Sequence, residues 1–168
     1  GKSKLPKHVA DAIDGVFEMV PVRPNWNDDR DLLGYYNPRT GSYQSTTFLD
    51  TLIEASENPE RLYILCLDEM NLAPPEYYFA LFLSKLESDA GYFHPDPSLS
   101  REVLRSQERE VLAEILELED KLKEVGAARE DSLQYQINAL RSQIDELEKY
   151  YEVQIPPNVK FVGTVNVD

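Results

Sequence analysis

Residues 62–71 decide the fold, and they read Leu62-Tyr63-Ile64-Leu65-Cys66-Leu67-Asp68-Glu69-Met70-Asn71. The first six residues are apolar or aromatic, and a short run of this kind predicts a buried strand. Asp68 and Glu69 follow at its carboxyl end. In open α/β sheets ligands bind outside the carboxyl ends of the strands, so two carboxylates there are placed for chemistry. The alternative is structural, in which Asp68 only caps the helix that follows.

Both ends of the chain carry further segments with residues suited to binding a ligand. The chain opens with Gly1-Lys2-Ser3, the last residues of a P-loop, in which backbone N–H groups and the lysine hold phosphates and the hydroxyl ligates Mg²⁺. Residues 8–13 have apolar side chains at helical spacing, as expected of the helix that a P-loop opens. Residues 159–165 predict a second buried strand, which ends at Asn166. An amide at that position either orients a water molecule, contacts a γ-phosphate or lies in a turn.

A third strand is predicted from Phe17 to Val22, again with a polar segment at its carboxyl end. That segment contains Trp26, the only tryptophan of the chain. Trp26 either covers a ligand bound at this edge or packs against the edge of the sheet. Its polar neighbours at this end of the strand are Asp28 and Arg30.

In this order the segments resemble the AAA+ NTPases, and within them the McrB-like or dynein-related group. Residues 22–38 look like that group's second strand and interrupted second helix, and residues 67–79 like its Walker B segment with the helix behind it. Gly163-Thr164-Val165-Asn166 looks like its sensor 1. The resemblance covers about residues 1–93 and 155–168, and the order and spacing of the motifs agree with those of the group.

The resemblance implies hydrolysis of ATP or GTP with Mg²⁺. Phosphoryl transfer needs charge neutralisation and an aligned nucleophile, which a lysine, a cation on oxygen ligands and a carboxylate supply. The implied site contains six residues. They are Gly1 and Lys2 at the phosphates, Ser3 and Asp68 at Mg²⁺, Glu69 at the attacking water, and Asn166 as the sensor of the γ-phosphate.

The resemblance also implies partners. The chain begins inside the P-loop and stops just past sensor 1, so it looks like a fragment of an AAA+ module. The parent would act as a ring in which a neighbouring subunit supplies an arginine, and it would convert turnover into remodelling or translocation. A McrB-like protein would work in DNA restriction with a McrC-like nuclease, whereas a MoxR-like chaperone would share the chemistry and differ in its client.

Composition limits the function classes. The chain has 168 residues with 17 basic and 31 acidic side chains, a net charge of −14. This acidity argues against direct nucleic-acid contact, which needs clustered lysine and arginine. No apolar stretch approaches the roughly 20 residues that span a bilayer, and no signal-peptide pattern opens the chain, so we expect a soluble, cytoplasmic protein without membrane contact. Cys66 is expected to be a packed thiol, and His8 and His94 ordinary surface residues.

Residues 100–152 predict a long antiparallel helical hairpin of the coiled-coil type. Two stretches with apolar residues three and four positions apart are separated by a polar break at residues 126–132. Each arm of about 22 residues would be about 33 Å long. The apolar residues are Leu104, Val111, Ile115, Leu118, Leu122 and Val125 in the first arm, and Leu133, Ile137, Leu140, Ile144, Leu147 and Tyr151 in the second.

Prolines flank this hairpin on both sides, which predicts an insertion into the α/β core. Residues 100–152 include 14 acidic and 8 basic side chains, a net charge of −6, and the rest of the chain carries 17 and 9, a net charge of −8. The acidity is therefore spread over the surface. The hairpin is either a spacer or self-associating stalk, or an arm that binds a partner protein.

A second insertion is predicted within the second helix, where Tyr35 to Tyr43 read as a β-hairpin around Asn37-Pro38-Arg39-Thr40-Gly41. In the proteins that the chain resembles, such insertions face a pore or a partner. Tyr35, Tyr36 and Tyr43 either contact substrate there or pack across the strands.

We therefore expect an α/β, three-layer P-loop NTPase core of the AAA+ type with a parallel sheet and a long coiled-coil insertion. Residues 1–95 would form the first part of the core, 96–154 the insertion, and 155–168 the sensor 1 strand that completes the core. The main alternative is a non-catalytic interaction module, in which the sheet is a platform and the hairpin binds the partner.

Overall fold

The computed structural model describes residues 4–167, which form two compact units. The sheet unit comprises residues 4–35, 44–95 and 152–167, and the helical unit comprises residues 36–43 and 96–151. A 3₁₀ turn at Met70–Leu72 joins the central strand to the helix behind it. The elements in chain order are α1 (Lys4–Ala12), β1 (Val16–Pro21), α2 (Asp29–Leu33), β2 (Tyr35–Asn37), β3 (Ser42–Gln44), α3 (Thr47–Glu57), β4 (Tyr63–Asp68), α4 (Pro75–Tyr78), α5 (Ala80–Glu87), β5 (Tyr92–Phe93), α6 (Arg101–Glu124), α7 (Ala127–Tyr151), β6 (Val153–Gln154) and β7 (Val159–Gly163).

The three predicted strands form a parallel sheet in the order β1-β4-β7. Tyr63 lies opposite Val16 on one side and Val159 on the other, so the strands begin in register. The central strand β4 is buried from its first residue to Leu67. This burial explains why its sequence is continuously apolar instead of alternating. The mixed α/β class and the parallel sheet are thus confirmed.

Burial of β4 also fixes the chemistry of its cysteine. Cys66 is fully buried, and desolvation together with the charge of Asp68 raises the pKa of its thiol. A thiol with a raised pKa forms little of the reactive thiolate. Cys66 therefore behaves as a packed apolar residue.

An aromatic cluster forms the core of the sheet unit. Phe82 of α5 is fully buried, and its ring centroid lies 5.0 Å from that of Phe48, 5.2 Å from that of Phe161 and 5.6 Å from that of Phe93. Edge-to-face rings at these separations add to the stabilisation from burial. The cluster joins α3, α5, β5 and β7, and so holds two helices against the sheet.

The helices α6 and α7 lie antiparallel, with Leu104 near the start of α6 in one cluster with Leu147 near the end of α7. Glu119 and Arg141 form an ion pair of 3.0 Å between the two helices. The apolar residues of both predicted arms fill the seam. They are the buried Val111, Ile115, Leu118 and Ile137, with the partly buried Leu122, Leu133, Leu140 and Ile144.

The break between these helices is shorter than the sequence predicts. Only Val125 and Gly126 connect them, and α7 begins at Ala127 instead of near Leu133. Residues 127–130 are good helix formers, so they extend the helix although they have no apolar side chain at the seam. The loss of apolar spacing there indicates exposure to water and not the end of a helix.

Residues 36–43 of the β2–β3 hairpin belong to the helical unit, where Tyr36 and Tyr43 are used in packing, whereas Tyr35 is exposed. Tyr36 is buried in a cluster with Leu99, Leu104 and Leu147, and its backbone N–H donates to Asp96 Oδ2 at 2.8 Å. The ring of Tyr43 stacks on that of Tyr150 of α7, with centroids 4.6 Å apart and planes at 10°. Tyr43 also packs against the cluster that contains Tyr36, so these two tyrosines contribute to the packing of the helical unit.

The environment of the Glu148 carboxyl group in α7 predicts that the stability of the folded chain depends on pH. A hydrogen bond to Glu108, partial desolvation and the charges of Glu108 and Asp145 raise the pKa of this carboxyl above its usual value of 4.5. A carboxyl with a raised pKa binds more protons in the folded chain than in the unfolded one, so stability rises as pH falls from neutral towards 4.5. Glu148→Gln is expected to raise the thermal midpoint slightly at pH 7 and to have less effect at pH 4.5, as measured by circular dichroism.

The size of this change is limited because Glu148 is largely exposed and water screens its interactions. Glu117→Gln is the matched control, since Glu117 is an exposed residue of α6. Parallel pH profiles for the two variants would contradict the interaction between Glu148 and Glu108.

Candidate functional site

The candidate site lies at the carboxyl edge of the parallel sheet. Asp68 is the last residue of β4, where Pro21 of β1 lies opposite it, and its carbonyl accepts a 3.0 Å hydrogen bond from Val22 N–H. On the other side of β4, Gly163 of β7 pairs with Leu67. Parallel strands end at one edge, so Asp68 and Glu69 meet the residues that follow β7.

Thr164 ties these two chain segments together. Its buried hydroxyl donates to Asp68 Oδ1 at 2.7 Å and accepts from the backbone N–H of Glu69 at 2.9 Å. Its own N–H donates to the carbonyl of Leu67 at 3.0 Å, and its carbonyl accepts from Met70 N–H at 2.8 Å. Four hydrogen bonds of Thr164 therefore hold the Asp68 carboxylate and the backbone of residues 67–70 against the end of β7.

Glu69 adopts a left-handed backbone conformation, with φ 54° and ψ 52°. Residues other than glycine seldom occupy this region, and such conformations cost about 1–3 kcal/mol unless the surroundings enforce them. The hydrogen bond from Glu69 N–H to Thr164 Oγ1 is one of those constraints. Gly163 permits the close approach, because a Cβ there would overlap Met70 Sδ.

Asn166 lies at the same edge, joined to Asn71 by two hydrogen bonds. Asn71 Nδ2 donates to the carbonyl of Asn166 at 2.6 Å, and Asn166 N–H donates to Asn71 Oδ1 at 3.2 Å. The predicted strand to Val165 is too long, because β7 ends at Gly163 and Val165 is exposed. After Gly163 the backbone bonds to the 3₁₀ turn, so the chain leaves the sheet before Asn166.

The turn that carries Glu69 is supported by two aromatic residues. Tyr78 of α4 is fully buried, and its hydroxyl donates to the carbonyl of Met70 at 2.8 Å. Burial raises the pKa of Tyr78, so the phenol keeps its proton and remains a donor. Trp26 packs edge-on against Tyr78 with ring centroids 5.1 Å apart. Trp26 therefore packs on the aromatic residue that supports this turn.

The carboxylate of Asp28 has a structural role near this edge. It caps α2 by accepting from the backbone N–H of Arg30 at 2.8 Å, and Arg30 Nε donates to the same oxygen at 3.2 Å. These bonds, the one from the backbone first, lower the pKa of the Asp28 carboxyl. The neighbouring carboxylate, Asp29, connects α2 to α5, because its Oδ1 accepts a 3.1 Å hydrogen bond from Leu81 N–H.

The other predicted ligands, Gly1, Lys2 and Ser3, lie outside the described residues. The helix predicted behind them is present as α1, and its buried Ala10 accepts a 2.7 Å hydrogen bond from Gly15 N–H just before β1. A Cβ at Gly15 would lie 2.8 Å from the carbonyl oxygen of Leu62, so glycine is required where the chain enters β1.

The donor chemistry of the edge fits Mg²⁺. Within residues 4–167 no three side chains of the His, Cys, Asp and Glu types come together as a complete metal cage. Mg²⁺ does not need one, because it commonly binds one or two carboxylates and completes its shell with water and substrate phosphates. Asp68 supplies a hard oxygen donor of this kind at the end of β4, and Glu69 is a second carboxylate beside it.

Two residues that organise the edge, Thr164 and Asn71, are not singled out by the sequence. Both lie inside segments that the sequence analysis identifies as motifs, so their place at the sheet edge could be predicted. Their partners, however, are 95 or 96 residues away along the chain. No local pattern specifies such a pairing.

Replacement of Thr164 tests this organisation. Thr164→Val keeps the shape of the side chain but removes the acceptor of Glu69 N–H and the hydroxyl that donates to Asp68 Oδ1, at an expected cost of about 1–3 kcal/mol. Urea unfolding measures the change, and Thr164→Ser, which keeps the hydroxyl, serves as the control. Equal stability of the valine variant and the wild type would show that the hydroxyl does not hold this edge together.

None of the helices within residues 4–167 is both long and apolar enough to cross a membrane. No protein-family model, curated protein or solved structure matches this chain. The interpretation of the site consequently depends on the residues at the carboxyl edge of the sheet and their chemistry.

Proposed function

We propose that this chain is part of a Mg²⁺-dependent nucleoside triphosphatase of the AAA+ type, of the McrB-like or dynein-related group, with ATP or GTP as substrate. The main support is the hydrogen bonding of Thr164 to both Asp68 and Glu69. It joins the segment that resembles Walker B to the segment that resembles sensor 1, at the sheet edge where α/β proteins bind ligands.

In this proposal Asp68 and Ser3 hold Mg²⁺, which neutralises charge on the phosphates. Glu69 orients the attacking water and accepts its proton. The strained backbone of Glu69 supports this role, because strained conformations cluster at functional sites where the surrounding structure enforces them. Positioning and charge neutralisation supply most of the catalysis in phosphoryl transfer.

Gly1 and Lys2 bind the β- and γ-phosphates, and Asn166 senses the γ-phosphate. The two hydrogen bonds between Asn166 and Asn71 support the sensor role, since they link the sensor segment to the turn that carries Glu69. Asn71 lies two residues after Glu69, so a change of conformation at Asn166 would reach the turn that carries the proposed base.

The parent protein would assemble as a ring, with an arginine from a neighbouring subunit completing each site, and would use hydrolysis for remodelling or translocation. A McrB-like protein would pass this work to a McrC-like nuclease in DNA restriction, and a MoxR-like chaperone would act on a protein client. Both would use the same residues at the sheet edge, so the assignment of the chemistry does not depend on the choice between them.

Calorimetric titration of MgATP and MgGTP tests the proposal. The ligands are titrated into this chain and into a longer chain of the parent protein that completes the P-loop and the downstream part of the module. We expect one nucleotide to bind the longer chain, with the preferred base identified by the affinities. If neither nucleotide binds the longer chain, the NTPase proposal is wrong.

A second candidate function is that of a non-catalytic interaction module, in which α6 and α7 form a coiled coil that binds a partner. The specific observation in its favour is the exposure of Leu112 and Leu116, which are 57% and 62% accessible on the surface of α6. Large apolar side chains that stay exposed side by side are typical of interaction sites.

A further inference from the structure

An apolar groove runs along one side of the helical unit, between α6 and α7. Val111, Leu112 and Ile115 line it from α6 and Ile144 lines it from α7, with Glu108 and Asp145 among its polar residues. Leu116 lies one turn beyond Leu112 on α6 and extends the apolar surface. We name this surface the hairpin groove.

We infer that the hairpin groove binds an amphipathic helix of a partner protein, with lysine or arginine beside the apolar stripe of that helix. The inference deepens the interaction role proposed above and is independent of nucleotide hydrolysis. An amphipathic helix in a hydrophobic groove is a common mode of peptide recognition, and it would convert the two helices into a three-helix bundle.

The charges of the groove favour a basic partner. Glu108 and Asp145 line the groove from α6 and α7, and the charges of both contribute to the raised pKa of the nearby Glu148 carboxyl. Arg141, a cation in the lining, is already paired with Glu119 at 3.0 Å. A basic side chain of a docked helix would relieve the repulsion among these carboxylates, and each new pair would be partly shielded from water.

The same charges disfavour a second copy of this chain as the occupant. Residues 100–152 have a net charge of −6, so two hairpins that met through this face would bring like charges together. Like-charge contacts at an interface suppress pairing, which is how charge selects among partners.

The dimensions of the groove match a short helix. On α6 the groove and its extension run from Glu108 to Leu116, eight positions or about 12 Å of helix. A partner helix of two to three turns would cover this length, with its apolar residues at positions i, i+3, i+4 and i+7 facing the aliphatic lining.

The test uses a model peptide of about 14 residues made of leucine and lysine, with leucines at the spacing of one helix face. Its fluorescence anisotropy is titrated with the full chain. We expect binding that weakens roughly tenfold or more in Leu112→Glu with Leu116→Glu, because charged side chains replace apolar contacts. Tyr135→Glu is the matched control, since Tyr135 is 76% exposed and does not line the groove.

A second variant tests the contribution of charge to peptide binding separately from that of the apolar contacts. Its result can be interpreted without the leucine variant. Glu108→Gln with Asp145→Asn keeps the groove apolar, and it is expected to weaken binding of the lysine peptide severalfold and to reduce its salt dependence. Equal binding of a peptide in which glutamates replace the lysines would overturn the basic specificity while leaving a docking site. Binding unaffected by the leucine substitutions would overturn the site itself.

Sedimentation velocity of the chain alone tests whether a second copy of the chain occupies the groove. A monomer at the concentrations of the titration agrees with the inference. A dimer that dissociates in the Leu112→Glu, Leu116→Glu variant would show that the groove is covered by a second copy, and the inference would then be wrong.

Discussion

Phe82→Ala is expected to lower the free energy of unfolding of the sheet unit by about 3–5 kcal/mol. Phe82 is fully buried and contacts the rings of Phe48, Phe93 and Phe161, so its removal leaves a cavity between two helices and the sheet. Domains of this size have about 5–15 kcal/mol of stability, and the loss is a large part of it. Urea unfolding followed by tryptophan fluorescence measures the change, because the single tryptophan, Trp26, packs on Tyr78 in the same unit.

Leu83→Ala provides the matched control for this prediction. Leu83 is the next residue of α5 and is 39% exposed, so truncation there removes little buried surface and should cost under about 1 kcal/mol. Similar losses for both variants would mean that the aromatic cluster does not form the core of the sheet unit.

Glu69→Gln is expected to reduce nucleotide hydrolysis by the completed module about 10²- to 10⁴-fold while nucleotide binding persists. Glutamine has the size of glutamate but cannot accept a proton from the attacking water. The substitution also leaves the backbone bond from residue 69 to Thr164 in place, so the edge of the sheet should keep its shape. Phosphate release under single-turnover conditions measures the rate, and calorimetry measures binding.

Glu76→Gln is the control, because Glu76 is an exposed carboxylate of α4 on the same segment of chain. Its hydrolysis rate should equal that of the wild type. If Glu69→Gln hydrolyses nucleotide as fast as Glu76→Gln, Glu69 is not the base. If both variants bind nucleotide but only Glu69→Gln is slow, the assignment of Glu69 gains direct support.

The parts of the fold that the sequence predicts are those with strong local signals. The apolar run before Asp68 becomes β4, and the strands at Val16–Pro21 and Val159–Gly163 lie within two residues of their predicted ends. Nearly every side chain of a buried parallel strand is apolar, so such a strand can be predicted from its own sequence without knowledge of the strands beside it. The regular apolar spacing from Val111 to Leu147 likewise predicts two long antiparallel helices.

The parts that the sequence does not predict depend on pairings between distant residues. Nothing near Thr164 indicates that its hydroxyl bridges Asp68 and Glu69, and nothing near Tyr36 indicates that it packs with Leu147. Each of these contacts exists only after the sheet or the helices have formed. The position of Asp68, Glu69 and Asn166 at the sheet edge was therefore predictable, whereas the hydrogen bonding there was not.

The composition of the helical unit from two separate chain segments has a consequence for how the protein folds during synthesis. Tyr36 leaves the ribosome about 110 residues before Leu147, with which it shares a cluster. At translation rates of about 5–20 residues per second, the β2–β3 hairpin waits roughly 5–20 seconds for its packing partners. The two long helices are adjacent in sequence and can pair within microseconds to milliseconds once both have emerged. Docking of residues 36–43 is therefore the late step in the assembly of the helical unit. Until α7 is complete, Tyr36 and Tyr43 of a nascent chain are exposed to chaperones.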